Sequence, residues 1–329
     1  MTAPGAGASG EDDLIARYFR PLATDPGAFG LVDDAALLNH SGDDIVVTTD
    51  AIVEGVHFLP DDPPDTIARK ALRVNLSDLA AKGASPAGFV LTLAIRDAAE
   101  KWLAPFARAL GEDAVAFNCP VLGGDTVSTP GPLMISITAF GRVPPGKMVR
   151  RTGAKPGDRI AVTGTIGDAA LGLHLLKGQG GGPDRSARDV LIRRYRVPQP
   201  RSALAIAIRD HASAAMDVSD GLAGDLAKLC AASGVSAAVS LADVPLSAPA
   251  LALITKGHSS IEAAVSGGDD YEVLCTVPEN RWESFVAAAR EADVPVSVIG
   301  RIEAGAAAPR FLDAAGQPVV LKRLSYSHF

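Results

Sequence analysis

Cysteine, tryptophan and histidine are scarce: three, two and six residues in a chain of 329. Cys119, Cys230 and Cys275 are far apart and odd in number, with no CxxC pair and no histidine beside them. That argues against a disulfide framework or a zinc site and predicts reduced, buried thiols in a cytoplasmic protein. Nowhere does an uninterrupted apolar run approach the roughly 18 residues of a membrane span. The opening MTAPGAGASGEDD has neither the basic start nor the apolar core of a secretory signal. Positive charge is also in deficit. A net charge of −7 and a pI near 5.4 advertise no surface for a nucleic-acid backbone or an anionic membrane.

What remains is a globular composition, 47% hydrophobic and 21% charged, with mean hydropathy +0.19. The length suits two domains of roughly 100–200 residues each. Residues Met1–Gly10 are small and polar and read as a mobile tail. Helical spacing marks Glu11–Ala23, Thr66–Lys82 and Lys101–Phe117, whereas Asp44–Thr49, Phe89–Ile95 and Leu133–Phe140 have strand character. A Pro/Gly/basic stretch, Pro144–Asp158, separates this half from the next, which places the domains at 1–149 and 150–329. In the second half, strands are expected at Arg159–Thr163, Ala237–Leu241, Glu272–Val277 and Val296–Ile299. Helices are expected near Asp168–Lys177, Ala187–Tyr195, Ser202–Asp210, Leu222–Ala232 and Glu279–Glu291, with a flexible loop at Gly178–Pro183. This alternation gives an α/β or α+β class.

Two phosphate-loop look-alikes fail their structural conditions. Gly5-Ala-Gly-Ala-Ser-Gly10 fits GxGxxG but has no strand before it. In Gly141-Arg-Val-Pro-Pro-Gly-Lys147-Met148, two prolines remove amide donors and Met148 lacks the hydroxyl that would reach Mg²⁺.

Six short acidic motifs carry the chemistry instead. Mg²⁺ takes oxygen ligands and commonly bridges one or two carboxylates to substrate phosphates, so a nucleotide site can be assembled from aspartates on several segments. Taken alone, Asp33-Asp34 fits a solvated turn better than a ligand pair. Thr48-Thr49-Asp50 is expected to close an apolar strand, where a cap explains it equally well. Asp78, in Asn75-Leu-Ser-Asp78, lies inside a helix of apolar and small residues, a poor place for aspartate unless something repays it. Gly123-Gly124-Asp125-Thr126 offers close backbone approach with a carboxylate and a hydroxyl, or a plain turn. Asp217-Val-Ser219-Asp220-Gly flanks a helix start, where capping competes, and Gly267-Gly-Asp269-Asp270-Tyr-Glu272 leads into a strand. Together these motifs exceed what caps account for, because converging carboxylates repel unless cations neutralise them.

In order and wording the motifs resemble the thiamine-monophosphate kinase family of the aminoimidazole-ribonucleotide-synthetase-like superfamily, over nearly the whole chain. The most specific are Thr48-Thr-Asp-Ala-Ile-Val-Glu-Gly-Val-His57-Phe58 and the terminal Tyr326-Ser-His-Phe329. The resemblance implies an N-terminal α/β domain and a C-terminal α+β domain, with a homodimer formed through the former. It implies Mg²⁺ ligation by Asp33, Thr48, Thr49, Asp50, Asp78, Asp125, Asp217 and Asp220, with Asp50, Asp78, Asp125 and Asp217 catalytic. ATP contacts fall to Gly124, Asp125, Arg151 and Ser219, and thiamine-monophosphate contacts to His57, Asp269 and Tyr326.

Val32 stands where the family usually has Gly, Lys82 where it has Met, Asp269 where it has Glu and Ser325 where it has Gly. The implied reaction is in-line transfer of the ATP γ-phosphoryl group to thiamine monophosphate, with neither nucleic acid nor membrane involved. Arg151 suits a phosphate by its bidentate fork, although an exposed connector arginine reads the same way. Tyr326 suits stacking on a cationic aromatic substrate, or packing on the core. The alternatives are another ATP-dependent synthetase of the superfamily and a non-catalytic Mg-nucleotide-binding subunit. Selenophosphate synthesis is disfavoured by the lack of an N-terminal cysteine, and the hydrogenase-maturation relative by the lack of a C-terminal one.

Overall fold

In the computed structural model the described residues are 14–26, 42–179 and 184–325. The expected tail, the start of the first helix, Val32 with the Asp33-Asp34 pair, most of the Gly178–Pro183 loop and Tyr326 lie outside them. Contacts divide the chain into two compact units. The first comprises residues up to Leu76 together with Pro86–Pro145, the second Ser77–Ser85 with Gly146 onward.

The first unit carries a four-stranded sheet in the order β1-β4-β2-β3, formed by β1 (Asp44–Val53), β2 (Ser85–Ile95), β3 (Val121–Ser128) and β4 (Met134–Val143). β1 runs antiparallel to β4 and β2 parallel to β3. Alternation produces the buried face of β4, where Ile135, Ile137, Ala139 and Val143 are all inaccessible. Helices α1 (Pro64–Ala81) and α2 (Glu100–Ala116) bury stripes at spacings of three and four, with Leu103, Phe106, Ala107 and Leu110 inward on α2. Asp113 of α2 is buried and ion-paired to Arg69 and Arg73 of α1, the latter at 2.6 Å.

Three expectations change here. The stretch expected as the helix Glu11–Ala23 is, where described, a π-type turn (Ile15–Phe19) followed by a 3-10 turn (Arg20–Leu22). Pro21, lacking an amide hydrogen, suits the first turn of a 3-10 segment better than the interior of an α-helix. β1 continues through Val53, so Asp50 sits within the strand rather than at its end. Gly123–Thr126, expected as a close backbone approach or a plain turn, is the middle of β3.

The second unit is built on a seven-stranded sheet in the order β11-β10-β7-β9-β5-β8-β6. Its strands are β5 (Arg159–Thr163), β6 (Ala214–Asp217), β7 (Ser236–Ser240), β8 (Val273–Val277), β9 (Val296–Glu303), β10 (Arg310–Leu312) and β11 (Pro318–Val319). Its helices are α3 (Asp168–Leu176), α4 (Arg185–Arg196), α5 (Ala205–His211), α6 (Leu222–Ser233), α7 (Ala248–Thr255), α8 (Ile261–Val265) and α9 (Trp282–Glu291).

Both faces of the sheet are covered. Ile160, Val162, Met216 and Leu274 pack with Leu222, Leu226 and Leu229 of α6, while Ala161, Ala215, Val273 and Cys275 pack with Ile208 of α5 and Phe285 of α9. A strand buried on both sides has no polar alternation, which is why β6 (AAMD) escaped the sequence reading, as did the short β10 and β11. All three cysteines are buried and unbridged. Burial pushes the thiols of Cys119 and Cys275 up to about 12 and that of Cys230 to about 11.

Candidate active site

In the first unit Thr48, Thr49, Asp50, Gly124 and Asp125 are mounted on strands. Period-two geometry puts Thr48 and Asp50 on one face of β1 and Thr49 on the other. The Thr49 hydroxyl is engaged across the ladder, accepting from Thr138 Oγ1 at 3.0 Å and donating to the Ile137 carbonyl at 3.3 Å. The backbone N–H of Asp50 donates to the side-chain oxygen of Asn75 at 3.1 Å, and the Asn75 amide donates in turn to the Ala71 carbonyl. Asn75 is fully buried. It is a positioning residue for Asp50 that the sequence marked only as part of a motif, by a buried amide in an apolar helix.

Asp125 lies in register with Thr92 of β2 and is exposed. Its neighbour Gly124 stands opposite Leu91, and a Cβ there would lie 2.1 Å from the Leu91 carbonyl oxygen. The glycine therefore has a pairing role in the sheet, whatever it does for a ligand.

The turn after β1 holds His57. Its ring Nδ1 accepts the Val53 N–H at 3.0 Å, which leaves the proton of the neutral ring on Nε2 as a donor. Its carbonyl accepts from the buried Lys70 at 2.8 Å. Glu54 in the same turn makes a two-pronged pair with Arg96, at 2.6 and 2.8 Å, and accepts the Leu133 N–H. The hydrogen bond from Arg96 holds the Glu54 carboxyl below its usual range.

In the second unit four segments are laced together by backbone bonds. The Lys82 carbonyl accepts the Val149 N–H, the Arg150 carbonyl accepts the Ala215 N–H, and Asp269 and Tyr271 donate to Ser219 and Val218 at 2.8 Å each. These bonds gather Asp78, Lys82, Arg151, Asp217, Ser219, Asp220 and Asp269. Asp217 is buried at the end of β6. Lys82 Nζ donates to the Ala215 carbonyl at 2.9 Å. Burial pulls the Lys82 ammonium below its usual value and Arg151 adds to this, while Asp217 and Asp78 oppose it.

Asp269 and Tyr271 both take left-handed backbone conformations, with φ of 73° and 51°. Such residues cost on the order of 1–3 kcal/mol each and persist where surrounding bonds fix them. Gly221, at φ 120°, has no room for a side chain, since a Cβ would lie 2.8 Å from the Ser266 backbone.

Three carboxylates outside the expected set hold these segments. Asp225 accepts the N–H groups of Ser219 and Asp220 at 3.1 and 3.0 Å and pairs with Lys228 at 2.9 Å. Burial raises its carboxyl above the usual value, against the pull of Lys228. Asp270 is buried and accepts the Gly167 N–H at 2.7 Å at the start of α3. Burial raises its carboxyl well above the ordinary value. Glu272, inaccessible to solvent, accepts from Arg194 at 2.6 Å, Arg201 at 2.5 Å and Thr163 at 2.6 Å. Within the two acidic pairs, Asp270 is therefore structural while Asp269 stays half-buried, and Asp220 is bonded to Lys228 at 2.6 Å while Asp217 is buried. The Walker look-alike begins inside β4 and is followed by no helix before β5, as expected of a connector.

Among the described residues no group of three or more His, Cys, Asp or Glu side chains could hold a metal by itself. The oxygen donors present, Asp50 and Asp125 in the first unit and Asp217 and Asp220 in the second, are of the kind that Mg²⁺ takes together with waters and substrate phosphates. Nor, among the described residues, is any helix long and apolar enough to cross a membrane.

Residues 32–143 match the family model for the AIR synthase related protein N-terminal domain, and residues 155–309 match that for the C-terminal domain. Two such domains in tandem define the class. Over 99% of this chain and 93% of its relative, the sequence is 45% identical to thiamine-monophosphate kinase of Caulobacter vibrioides. It is 41% identical to that of Escherichia coli K12 over 98% and 99%. The crystal structure of thiamine-monophosphate kinase from Stenotrophomonas maltophilia K279a superposes with a TM-score of 0.83 at 36% identity, covering 95% of this chain and 98% of that one. A structure of AaThiL complexed with AMPPCP and TMP gives 0.77 at 31%, covering 92% and 97%. The chain belongs to the thiamine-monophosphate kinase family of AIR synthase related proteins. Hydrogenase maturation protein HypE, at 22% identity and a TM-score of 0.77, shares the fold alone.

Proposed function

We propose that the chain transfers the γ-phosphoryl group of ATP to the phosphate of thiamine monophosphate, giving thiamine diphosphate. The observation that carries this is similarity over 99% of the chain to relatives bearing that activity in their name. A related structure holding the ATP analogue AMPPCP together with TMP supports it. The acceptor phosphate has a second pKa near about 6 and is already mostly ionised at neutral pH. No strong general base is required. The difficulty lies in aligning two anions, which positioning and charge neutralisation solve.

Mg²⁺, when bound, neutralises and orients the phosphates. Within the first unit Thr48, Asp50 and Asp125 are assigned to hold it, along with Asp33, and Thr49, whose hydroxyl is engaged on the other face of β1, joins them on the family resemblance alone; within the second, Asp78, Asp217 and Asp220. Asp50, Asp78, Asp125 and Asp217 are the assigned catalytic carboxylates. Gly124, Asp125, Arg151 and Ser219 are assigned to ATP, and His57, Asp269 and Tyr326 to thiamine monophosphate. His57 serves there as an Nε2 donor, not as a base. Domains meeting at residue 150, a cytoplasmic location and a homodimer complete the reading. Purified protein supplied with ATP, Mg²⁺ and thiamine monophosphate should form thiamine diphosphate, separable by chromatography. Absence of that product would overturn the assignment.

A further inference from the structure

Lys228 lies outside every motif read from the sequence, yet its ammonium bridges two carboxylates of the Asp217–Asp225 region. It donates to Asp220 Oδ2 at 2.6 Å and to Asp225 Oδ1 at 2.9 Å. Asp225 is three residues earlier on the same helix and fully buried, and its other oxygen holds the Ser219 and Asp220 amides. Asp225 therefore cannot leave without releasing the loop. Asp220 is different: it and Lys228 are both about two-fifths exposed, at 38% and 42%, so this half of the bridge opens to solvent at little cost.

We infer that Lys228 is a built-in exchange cation, which neutralises Asp220 in the metal-free protein and is displaced from it when a divalent ion binds. The inference rests on the reading of Asp220 as a metal ligand. A fixed ammonium and a divalent ion compete for the same carboxylate oxygen, so Lys228 weakens metal binding and keeps the acidic loop from repelling itself when empty. Asp225 anchors the lysine in both states, and Lys228 acts as a positioning residue rather than a catalytic one.

The test is direct binding of Mn²⁺, a paramagnetic stand-in for Mg²⁺, to the nucleotide-free full chain, followed by electron paramagnetic resonance of the free ion. Lys228→Met should bind Mn²⁺ about threefold more tightly, the scale of an exposed ion pair. Lys228→Arg, which keeps the charge, should return to the wild-type affinity and shows that the effect is not one of folding. Unchanged or weaker Mn²⁺ binding in Lys228→Met overturns the exchange. Asp220→Ala serves as the reference: if it binds Mn²⁺ as the wild type does, Asp220 is not a ligand and the exchange falls with it. The phosphoryl-transfer reading is judged separately, by product formation in the wild type.

Discussion

The two units mount their acidic residues in opposite ways. In the first, Asp50 and Asp125 sit on regular strands, and their placement follows from register: Asp50 opposite Ile137, Asp125 opposite Thr92. Removing either carboxylate leaves the ladder of backbone bonds as it was. In the second, Asp78 lies in a helix and Asp217 ends a strand, but Ser219, Asp220 and Asp269 lie on irregular segments held by buried carboxylates, namely Asp225, Asp270 and Glu272. There an acid can be essential without ever touching a ligand. The comparison separates two reasons for an aspartate or glutamate to be present: one supplies charge to chemistry, the other satisfies amides and arginines that the fold has buried.

The sharpest way to break this distinction is Glu272→Ala. It would remove the buried carboxylate that Arg194 and Arg201, both mostly buried, share. Breaking a buried pair from one side typically costs about 3–5 kcal/mol. Denaturant unfolding should therefore show a large fall in stability, with any loss of activity following the loss of fold. Stability within about 0.5 kcal/mol of wild type would show that Glu272 is not a structural acid.

Asp125→Asn probes the other side. The side chain is exposed on β3 and the substitution is nearly isosteric, so the melting temperature should hold. Turnover should fall about a hundredfold or more, the scale of losing one preorganised charge stabiliser. Steady-state kinetics beside a thermal melt reads both quantities. Near-wild-type turnover would remove Asp125 from the chemistry and leave it a surface residue on a strand.

The same distinction explains what could be read from the sequence. Helices α1 and α2 and strands β2 and β4 were legible because one face of each is apolar at a regular period. The extension of β1 to Val53 was not, since Asp50 interrupts an apolar run and looked like its end; the Asn75 amide that receives the Asp50 N–H is a long-range contact with no local trace. Likewise Gly123-Gly124 read as a phosphate approach or a turn, because a glycine needed for close strand pairing has the same letter as one needed for either. Candidate ligands stood out as motifs. Their supports did not: Asp225 and Lys228 look like one more acid and base on a helix, and only the fold brings Ser219, Asp220 and both side chains together.

Glu279 offers the smallest effect and a useful control, being a carboxylate that is paired but belongs to neither group. It is exposed, bonds Arg159 Nε at 2.9 Å and lies 3.1 Å from Arg301. The Arg159 hydrogen bond holds its carboxyl down at about 2, from an ordinary 4.5. Because the folded value is depressed, whatever stability the pair contributes is present above pH 4.5 and fades as pH falls toward 2. Solvent screening keeps that contribution small. Melting temperatures of wild type and Glu279→Gln should differ slightly at pH 6 and converge between pH 4.5 and 2, with activity at neutral pH unaffected. A gap that persists to pH 2 would trace to packing beside Trp282, over which Arg159 lies at 5.0 Å, and not to the ion pair.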